Sequence, residues 1–488
     1  MRTSPRFQDE RRRALVLALV FCALLPLLAA CGGSASPSGA YPTAAAQGEP
    51  KPAFSTAAAA SGGAGRSDVA PAATAAAEPI APPLADATAA PLAEAPPAGE
   101  AGGSAKDEAA ARAPDSPGAI ATSPTMPPLP TQPSVDQRQG SVAPLKAGDV
   151  NDNADFEGYR NYLRSFYSPP GRPVDVSERY ILTVLNDQQQ PVLDARVRVY
   201  DGDRQIFEGR TYAGGQTILF PRALGSSQGS SLRVMVAKGN SQAEGTIARG
   251  QGEYPTLVLP QAQAVPEQIR LDVMFLLDAT GSMDDEIGRI QQTIDSIAQR
   301  IDGFTPRPAL RFGLVAYRDR GEEYVTRVYD FTPDVVAFRK ILMSVQAFGG
   351  GDEPEALNEA LHAAIQQVNW ADDAVRLTFL VADAPPHLDY PNDYDYVQEV
   401  RAAVERGVKI YPIAASNTND DAEYVFRQLA QQTLAHFIFL TYQEGQNSGA
   451  PGETTQRDVD PSSFTVERLD DLVVEIIQRE LASAVGAG

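Results

Sequence analysis

The stretch Ile269-Arg-Leu-Asp-Val-Met-Phe-Leu-Leu-Asp278-Ala-Thr280-Gly-Ser282-Met283 ends an apolar run in an aspartate and sets hydroxyls at the second and fourth positions after it. An apolar run of this length, bounded by a turn, reads as a parallel strand buried on both faces. The period then changes. Met283, Ile287, Ile290, Ile294, Ile297 and Ile301 step by four and three, as the buried stripe of a helix does. Open α/β sheets bind ligands beyond the carboxyl ends of their strands. Asp278, Thr280 and Ser282 would offer three hard oxygens there on one tight turn, a donor set for Mg²⁺, Mn²⁺ or Ca²⁺ and not for Zn²⁺.

Two distant segments extend the pattern. Gly349-Gly-Gly351-Asp352-Glu-Pro-Glu355 is a glycine-rich loop ahead of an apolar helical stripe, and Leu377-Thr-Phe-Leu-Val-Ala382-Asp383 is a second apolar run ending in an aspartate. In this order the three segments resemble the metal-ion-dependent adhesion site of von Willebrand factor A domains, whose first element is Asp-x-Ser-x-Ser; Thr280 stands at the first serine and keeps its hydroxyl. The resemblance covers residues 266–485. It implies a doubly wound α/β fold and a divalent cation, Mg²⁺ preferred with Mn²⁺ or Ca²⁺ as alternatives. The implied donors are Asp278, Thr280, Ser282, Asp352 and Asp383, and the implied partner is a protein or surface ligand. At the second loop the family usually offers a threonine, where this chain has Asp352. Some members share the variant Gly-Gly-Gly-Asp-x-Pro-Glu followed by Asp-Ala-Pro-Pro-His, which Asp383 to His387 fits. A third carboxylate overcompensates a divalent charge, so the metal is expected to be held more tightly and an acidic partner less so. His387, Asp319 and Glu355 are candidates for the rim of the site. Taken singly, Asp278 would also serve as a helix N-cap, Asp383 as a turn residue before Pro385-Pro386, and Arg318-Asp319 as a structural ion pair.

Upstream, strands are expected to alternate with turn residues. Tyr180–Leu185, Ala195–Tyr200, Gln216–Phe220, Ser231–Val236 and Thr256–Leu259 are short β-rich runs separated by Asn186-Asp187, Asp201-Gly202, Gly214-Gly215 and Lys238-Gly-Asn240. Residues 176–262 therefore read as an all-β sandwich, similar to immunoglobulin-like or carboxypeptidase-regulatory-like modules and without a catalytic constellation. Residues 148–175 read as a short amphipathic helix, from the spacing of Phe156, Tyr159, Tyr162, Leu163 and Phe166. In the C-terminal half, strands at Arg311–Tyr317, Arg376–Ala382, Val408–Ala415 and His436–Thr441 alternate with helices at Tyr396–Arg406, Asp420–Gln431 and Val466–Leu481, with Val325–Phe331 as an antiparallel edge strand.

The N-terminus carries targeting information. Arg2, Arg6 and Arg11 to Arg13 precede the apolar Ala14–Leu28, and the segment closes on Leu28-Ala29-Ala30-Cys31, which resembles the lipobox of bacterial lipoproteins. The expectation is a signal peptide over residues 1–30, lipid attachment at Cys31 and an extracytoplasmic, membrane-anchored location. Cys22 falls in the removed part, so no disulfide or thiolate site is expected. Residues 31–147 are rich in Ala, Pro, Gly and Ser and bury too little to offset ordering entropy. They read as a disordered tether spanning about 60 Å as a flexible coil. The net charge of −21 argues against nucleic acid as a partner.

The whole reads as a multidomain, lipid-anchored adhesion protein and not as an enzyme. Asp278-Ala-Thr280-Gly also resembles the Asp-x-Thr-Gly of phosphoryl-transfer enzymes with an aspartyl nucleophile. A Mg²⁺-dependent phosphotransferase of that kind, or a structural envelope protein, is the alternative.

Overall fold

The computed structural model describes residues 143–486 apart from 227–228, 263–267, 352, 447–449, 456, 458 and 460–463. The expected signal peptide, Cys31 and the tether through residue 142 lie outside the described residues, and so does Asp352. In chain order the first elements are β1 (Lys146–Val150), α1 (Phe156–Ser165), β2 (Tyr180–Leu185), β3 (Arg196–Asp201), β4 (Arg204–Arg210), β5 (Gln216–Leu219), β6 (Ser231–Lys238), β7 (Ser241–Ala248) and β8 (Thr256–Val258). Then follow β9 (Arg270–Asp278), α2 (Ile287–Asp302), β10 (Ala309–Tyr317), β11 (Thr326–Thr332), α3 (Val335–Leu342), α4 (Leu357–Gln366) and β12 (Ala374–Ala382). The last are α5 (Tyr396–Arg406), β13 (Val408–Ala414), α6 (Asp420–Gln432), β14 (Phe437–Thr441), β15 (Glu467–Arg468) and α7 (Leu469–Ala484).

Eight strands make the large sheet, in the order β11-β10-β9-β12-β13-β14-β1-β15. The pairs from β10 to β14 are parallel, and β11 and β1 are antiparallel to their neighbours. The reason lies in composition: Val273, Phe275 and Leu277 alternate with Met274 and Leu276, and both sets are buried because helices cover both faces. Phe275, Phe312, Phe338 and Phe379 cluster at the centre, with Phe312 and Phe338 ring centroids 4.8 Å apart. Each such ring contributes on the order of 1.5–3 kcal/mol by leaving water. From β9 the chain first moves to β10 on one side and later returns to β12 on the other. The strand order thus reverses between β9 and β12, where an open α/β sheet leaves a crevice. Asp278 ends one of these strands, and Asp383 follows the other.

Residues 180–258 form a three-stranded sheet, β5-β2-β8, and a four-stranded sheet, β4-β3-β6-β7. Tyr180, Leu182, Val184, Val197, Val199, Leu232, Val234 and Val236 pack between them. β4 and β7 were not legible in the sequence: β7 is Ser-Gln-Ala-Glu-Gly-Thr-Ile-Ala, with no bulky alternation to mark it. Helix α3 was likewise unexpected.

The region read as a helix from residue 148 is divided. Lys146–Val150 is a strand, and the helix begins only at Phe156, capped by the Asp155 side chain. The strand pairs Ala147 with Leu440 and Gly148 with Phe439, so a segment ahead of the β-rich region completes the large sheet. Gly148 is required there, since a Cβ would lie 2.8 Å from the Phe439 ring. Helix α1 lays Tyr159 against Ile181, Ile218 and Phe220, while Phe166 packs edge-on against Tyr424 of α6.

A buried ion pair joins the β-rich region to β12. Arg376 donates to Asp194 through both terminal nitrogens, at 2.8 and 3.1 Å, and through Nε to the Ala371 carbonyl. Asp194 also accepts from Arg210 and from the Asp373 amide. These regions belong to one compact unit, residues 126–488.

Candidate metal centre

The first loop does not run straight into a helix. Gly281–Met283 is a single 3-10 turn, and α2 starts at Ile287. Asp278 therefore caps no helix. Its Oδ1 accepts from the Thr280 amide at 2.9 Å and from the Thr280 hydroxyl at 2.6 Å, which folds the turn back on its own first residue. Its Oδ2 accepts from Tyr317 Oη at 3.3 Å, from the neighbouring strand position. Thr280 Oγ1 lies 3.1 Å from Ser282 Oγ, and Ser282 donates to Asp383 Oδ1 at 3.0 Å. Four of the five expected donors, Asp278, Thr280, Ser282 and Asp383, are thus one contiguous oxygen cluster across the switch point. Asp352, the fifth, lies outside the described residues.

Its neighbours are described, and they touch the first loop. The Gly281 amide donates to the Gly349 carbonyl and the Phe348 amide to the Ala279 carbonyl, both at 2.9 Å. A Cβ on Gly281 would fall 2.5 Å from Gly349 O. Gly350 has φ +75° and a Cβ there would come 3.3 Å from Thr280 Cβ. The glycines permit close approach of two backbones.

The cluster is acidic and largely buried, with Ser282 exposed at its edge. Asp278 and Thr280 are fully buried and Asp383 is 4% exposed. Burial, foremost, and then the charge of Asp278 push the Asp383 carboxyl up to about 8. Burial likewise raises Asp278. Burial, followed by the charges of Asp278, Glu355 and Asp383, holds the Tyr317 hydroxyl protonated well above the ordinary phenol range. Two carboxylates pressed together in low dielectric each favour a proton or a cation between them. Among the described residues no group of three or more His, Cys, Asp or Glu side chains has metal-binding proximity. The donor set is two carboxylates and two hydroxyls, which fits a hard cation that retains waters.

The rim residues form a second polar group. His387 is buried, 2.8 Å from Asp389 Oδ1 through Nδ1 and 3.6 Å from Asp319 Oδ1 through Nε2, and its ring stacks on Tyr390. Tyr390 donates to Asp319 Oδ2, and the His387 amide donates to the Glu355 carbonyl. The expected Arg318–Asp319 pair gives way to other partners: Arg318 Nε donates to Ala279 O and Nη2 to Gln346 O. Glu286 was missed. It is fully buried, accepts from the Ser416 amide at 2.9 Å and from Tyr442 Oη, and its charge adds to the upward push on Asp383. Its signal in the sequence was a carboxylate four residues before Ile290, on the apolar stripe.

A family model described as von Willebrand factor A domain matches residues 272–446. The chain is 27% identical over 118 residues to the alpha-protein kinase vwkA of Dictyostelium discoideum, covering 24% of this chain and 19% of that protein. It is 34% identical over 112 residues to von Willebrand factor A domain-containing protein 7 of Rattus norvegicus, covering 23% of this chain and 12% of the relative. The chain thus spans under a fifth of the length of these relatives. Among solved structures, the conserved hypothetical protein BatB from Bacteroides thetaiotaomicron is similar, at 14% identity and a TM-score of 0.24, covering 44% of this chain and 87% of that chain. With the parallel sheet and its switch-point loops, the family match identifies residues 272–446 as a von Willebrand factor A domain.

Proposed function

We propose that this chain is a binding and adhesion protein that engages a protein or surface partner through a divalent cation at Asp278, Thr280, Ser282 and Asp383, with Asp352 as a further donor. The observation that carries the reading is the hydrogen-bonded run Asp278–Thr280–Ser282–Asp383, which joins residues 101 apart in sequence. Mg²⁺, with Mn²⁺ and Ca²⁺ as alternatives, would neutralise the two buried carboxylates and present an open coordination position to an oxygen ligand of the partner. The chain's own groups supply the frame: Tyr317 orients Asp278, and the glycine loop packs against the Asp278–Ser282 turn. No covalent step is part of this function. The basic leader, apolar core and Leu-Ala-Ala-Cys31 order support lipid anchoring at Cys31 on the extracytoplasmic side of a membrane, with the Ala/Pro-rich segment as tether.

Calorimetric titration of the chain with MgCl₂ or MnCl₂ tests the reading. One-site binding that is lost in Asp278→Ala is expected, with a melting temperature that climbs with cation concentration because the ion binds the folded state. Identical melting curves in chelator and in millimolar cation would refute it.

A further inference from the structure

Arg318 is a buried cation with an unusual set of partners. Only 4% of its surface is exposed. Its Nε donates to the carbonyl of Ala279, the residue between Asp278 and Thr280, at 3.1 Å. Its Nη2 donates to the carbonyl of Gln346 at 2.9 Å, three residues before Gly349. The guanidinium carbon lies 4.6 Å from the Tyr324 ring centroid and 5.7 Å from that of Phe348, and Glu323 is 3.7 Å from Nη1. The backbone amide of Arg318 is held by the Val325 carbonyl, so the arginine starts from a fixed point just past β10. A planar fork with donors on two edges can hold two carbonyls at once, which an ammonium cannot do in the same geometry.

The geometry points to Arg318 as a positioning residue of the cation site. Its guanidinium ties the loop that carries Asp278, Thr280 and Ser282 to the segment that leads into Gly349–Gly351. This rests on the cation reading above. Donors on separate loops hold an ion tightly only if the loops keep their spacing before it arrives. One of the two carbonyls that Arg318 bridges, that of Ala279, also accepts the Phe348 amide, and the second inter-loop bond, Gly281 to Gly349, follows it along both segments. Those bonds alone join backbones that no side chain on the glycines can lock. The aromatic faces of Tyr324 and Phe348 limit where the guanidinium can swing.

The experiment compares cation affinity with cation-free stability in the full chain. Mn²⁺ titrations are run on wild type, Arg318→Gln, Arg318→Lys and Arg311→Gln. Arg311 sits near the opposite end of β10, about 23 Å away at the strand rise, and bonds Asp272 and the Asn369 carbonyl. Arg311→Gln therefore reports what general weakening of the strand does to affinity. Arg318→Gln is expected to lower Mn²⁺ affinity about tenfold or more, Arg318→Lys to recover part of that loss, and Arg311→Gln to lower the melting temperature in chelator with affinity unchanged. Hydrogen exchange supplies a second reading that needs only the conservative variant: in Arg318→Lys the Gly281 and Phe348 amides should exchange faster while amides of β9 do not. If wild type binds and Arg318→Gln binds equally well, the positioning role is overturned and the cation reading stands. Equal affinity losses in Arg318→Gln and Arg311→Gln also overturn it, since any weakening would then suffice. If wild type binds no Mn²⁺, the cation reading itself has failed.

Discussion

Replacing Asp383 by asparagine should make the cation-free protein more stable and the protein with cation less so. Asp383 is nearly inaccessible, and burial together with the charge of Asp278 carries its carboxyl from the ordinary range near 4 up to about 8. A carboxylate whose folded-state pKa is raised binds its proton more tightly when folded. Stability is therefore greatest below the unfolded value and declines as pH rises from about 4 toward 8. At neutral pH several pKa units separate the two states, at 1.36 kcal/mol each. After relaxation and sharing of the effect with Asp278, the penalty is on the order of 2 kcal/mol. Asparagine keeps the shape and an oxygen to accept from Ser282 and removes the charge. In chelator at pH 7.5 the variant should gain about 1–3 kcal/mol in urea unfolding, with the m-value unchanged. The gain should shrink as pH falls toward 5: folded wild type already holds the Asp383 proton below about 8, and the unfolded chain regains its own only as pH nears 4. Millimolar Mg²⁺ or Mn²⁺ should stabilise wild type, by about 2.7 kcal/mol at a hundred times Kd, and leave the variant where it was. A variant that is less stable than wild type in chelator, or that still responds to the cation, would refute the reasoning.

Asp352→Thr exchanges the extra carboxylate for the hydroxyl that the family usually carries. Metal affinity should fall and carboxylate-dependent partner capture at saturating metal should rise, and a parallel fall of both would show that charge is not what Asp352 contributes. Asp194→Asn leaves Arg376 buried without its counter-ion and should cost about 3–5 kcal/mol in chemical denaturation, much reduced in an Arg376→Met background. Although burial alone would raise Asp194, its bonds to Arg376 and Arg210 hold it below the usual carboxylate range. The stability it confers is therefore complete above the unfolded value near 4 and fades as pH drops through the depressed one, the opposite slope to that of Asp383. Gly281→Ala, which sets a methyl 2.5 Å from the Gly349 carbonyl, should cost on the order of 2 kcal/mol and weaken Mn²⁺ binding in titration; unchanged affinity would separate loop spacing from metal binding. Cys31→Ser should abolish acyl labelling and release the chain from membranes, and a lipid still attached to the serine variant would dismiss the anchoring proposal.

The sequence alone determined the parallel sheet and pointed to the four oxygen side chains that meet at its switch point. Runs such as Val273–Leu277 and Leu377–Val381 leave a chain no soluble option but burial on both faces, and short oxygen side chains just past such runs have to emerge at the strand ends. Asp278, Thr280, Ser282 and Asp383 were legible because each sits at a change of hydrophobic period, which is a local signal. Tertiary structure decided whatever depends on a partner remote in sequence. Lys146–Val150 is too short and too mixed to announce a strand, and it became one because β14 presents an unpaired edge with Phe439 against which only a glycine fits. β7 carries Ile247 as its one large apolar side chain and is specified by its ladder with β6. Arg318 and Asp319, adjacent and opposite in charge, look like a pair on paper. In the fold they diverge, Arg318 to two backbone carbonyls and Asp319 to Tyr390 and His387, because neighbours just past a strand end project in different directions. Periodicity reports which side of an element meets the core. Which group waits on the far side is set by how the elements assemble, and that information is spread over the whole chain.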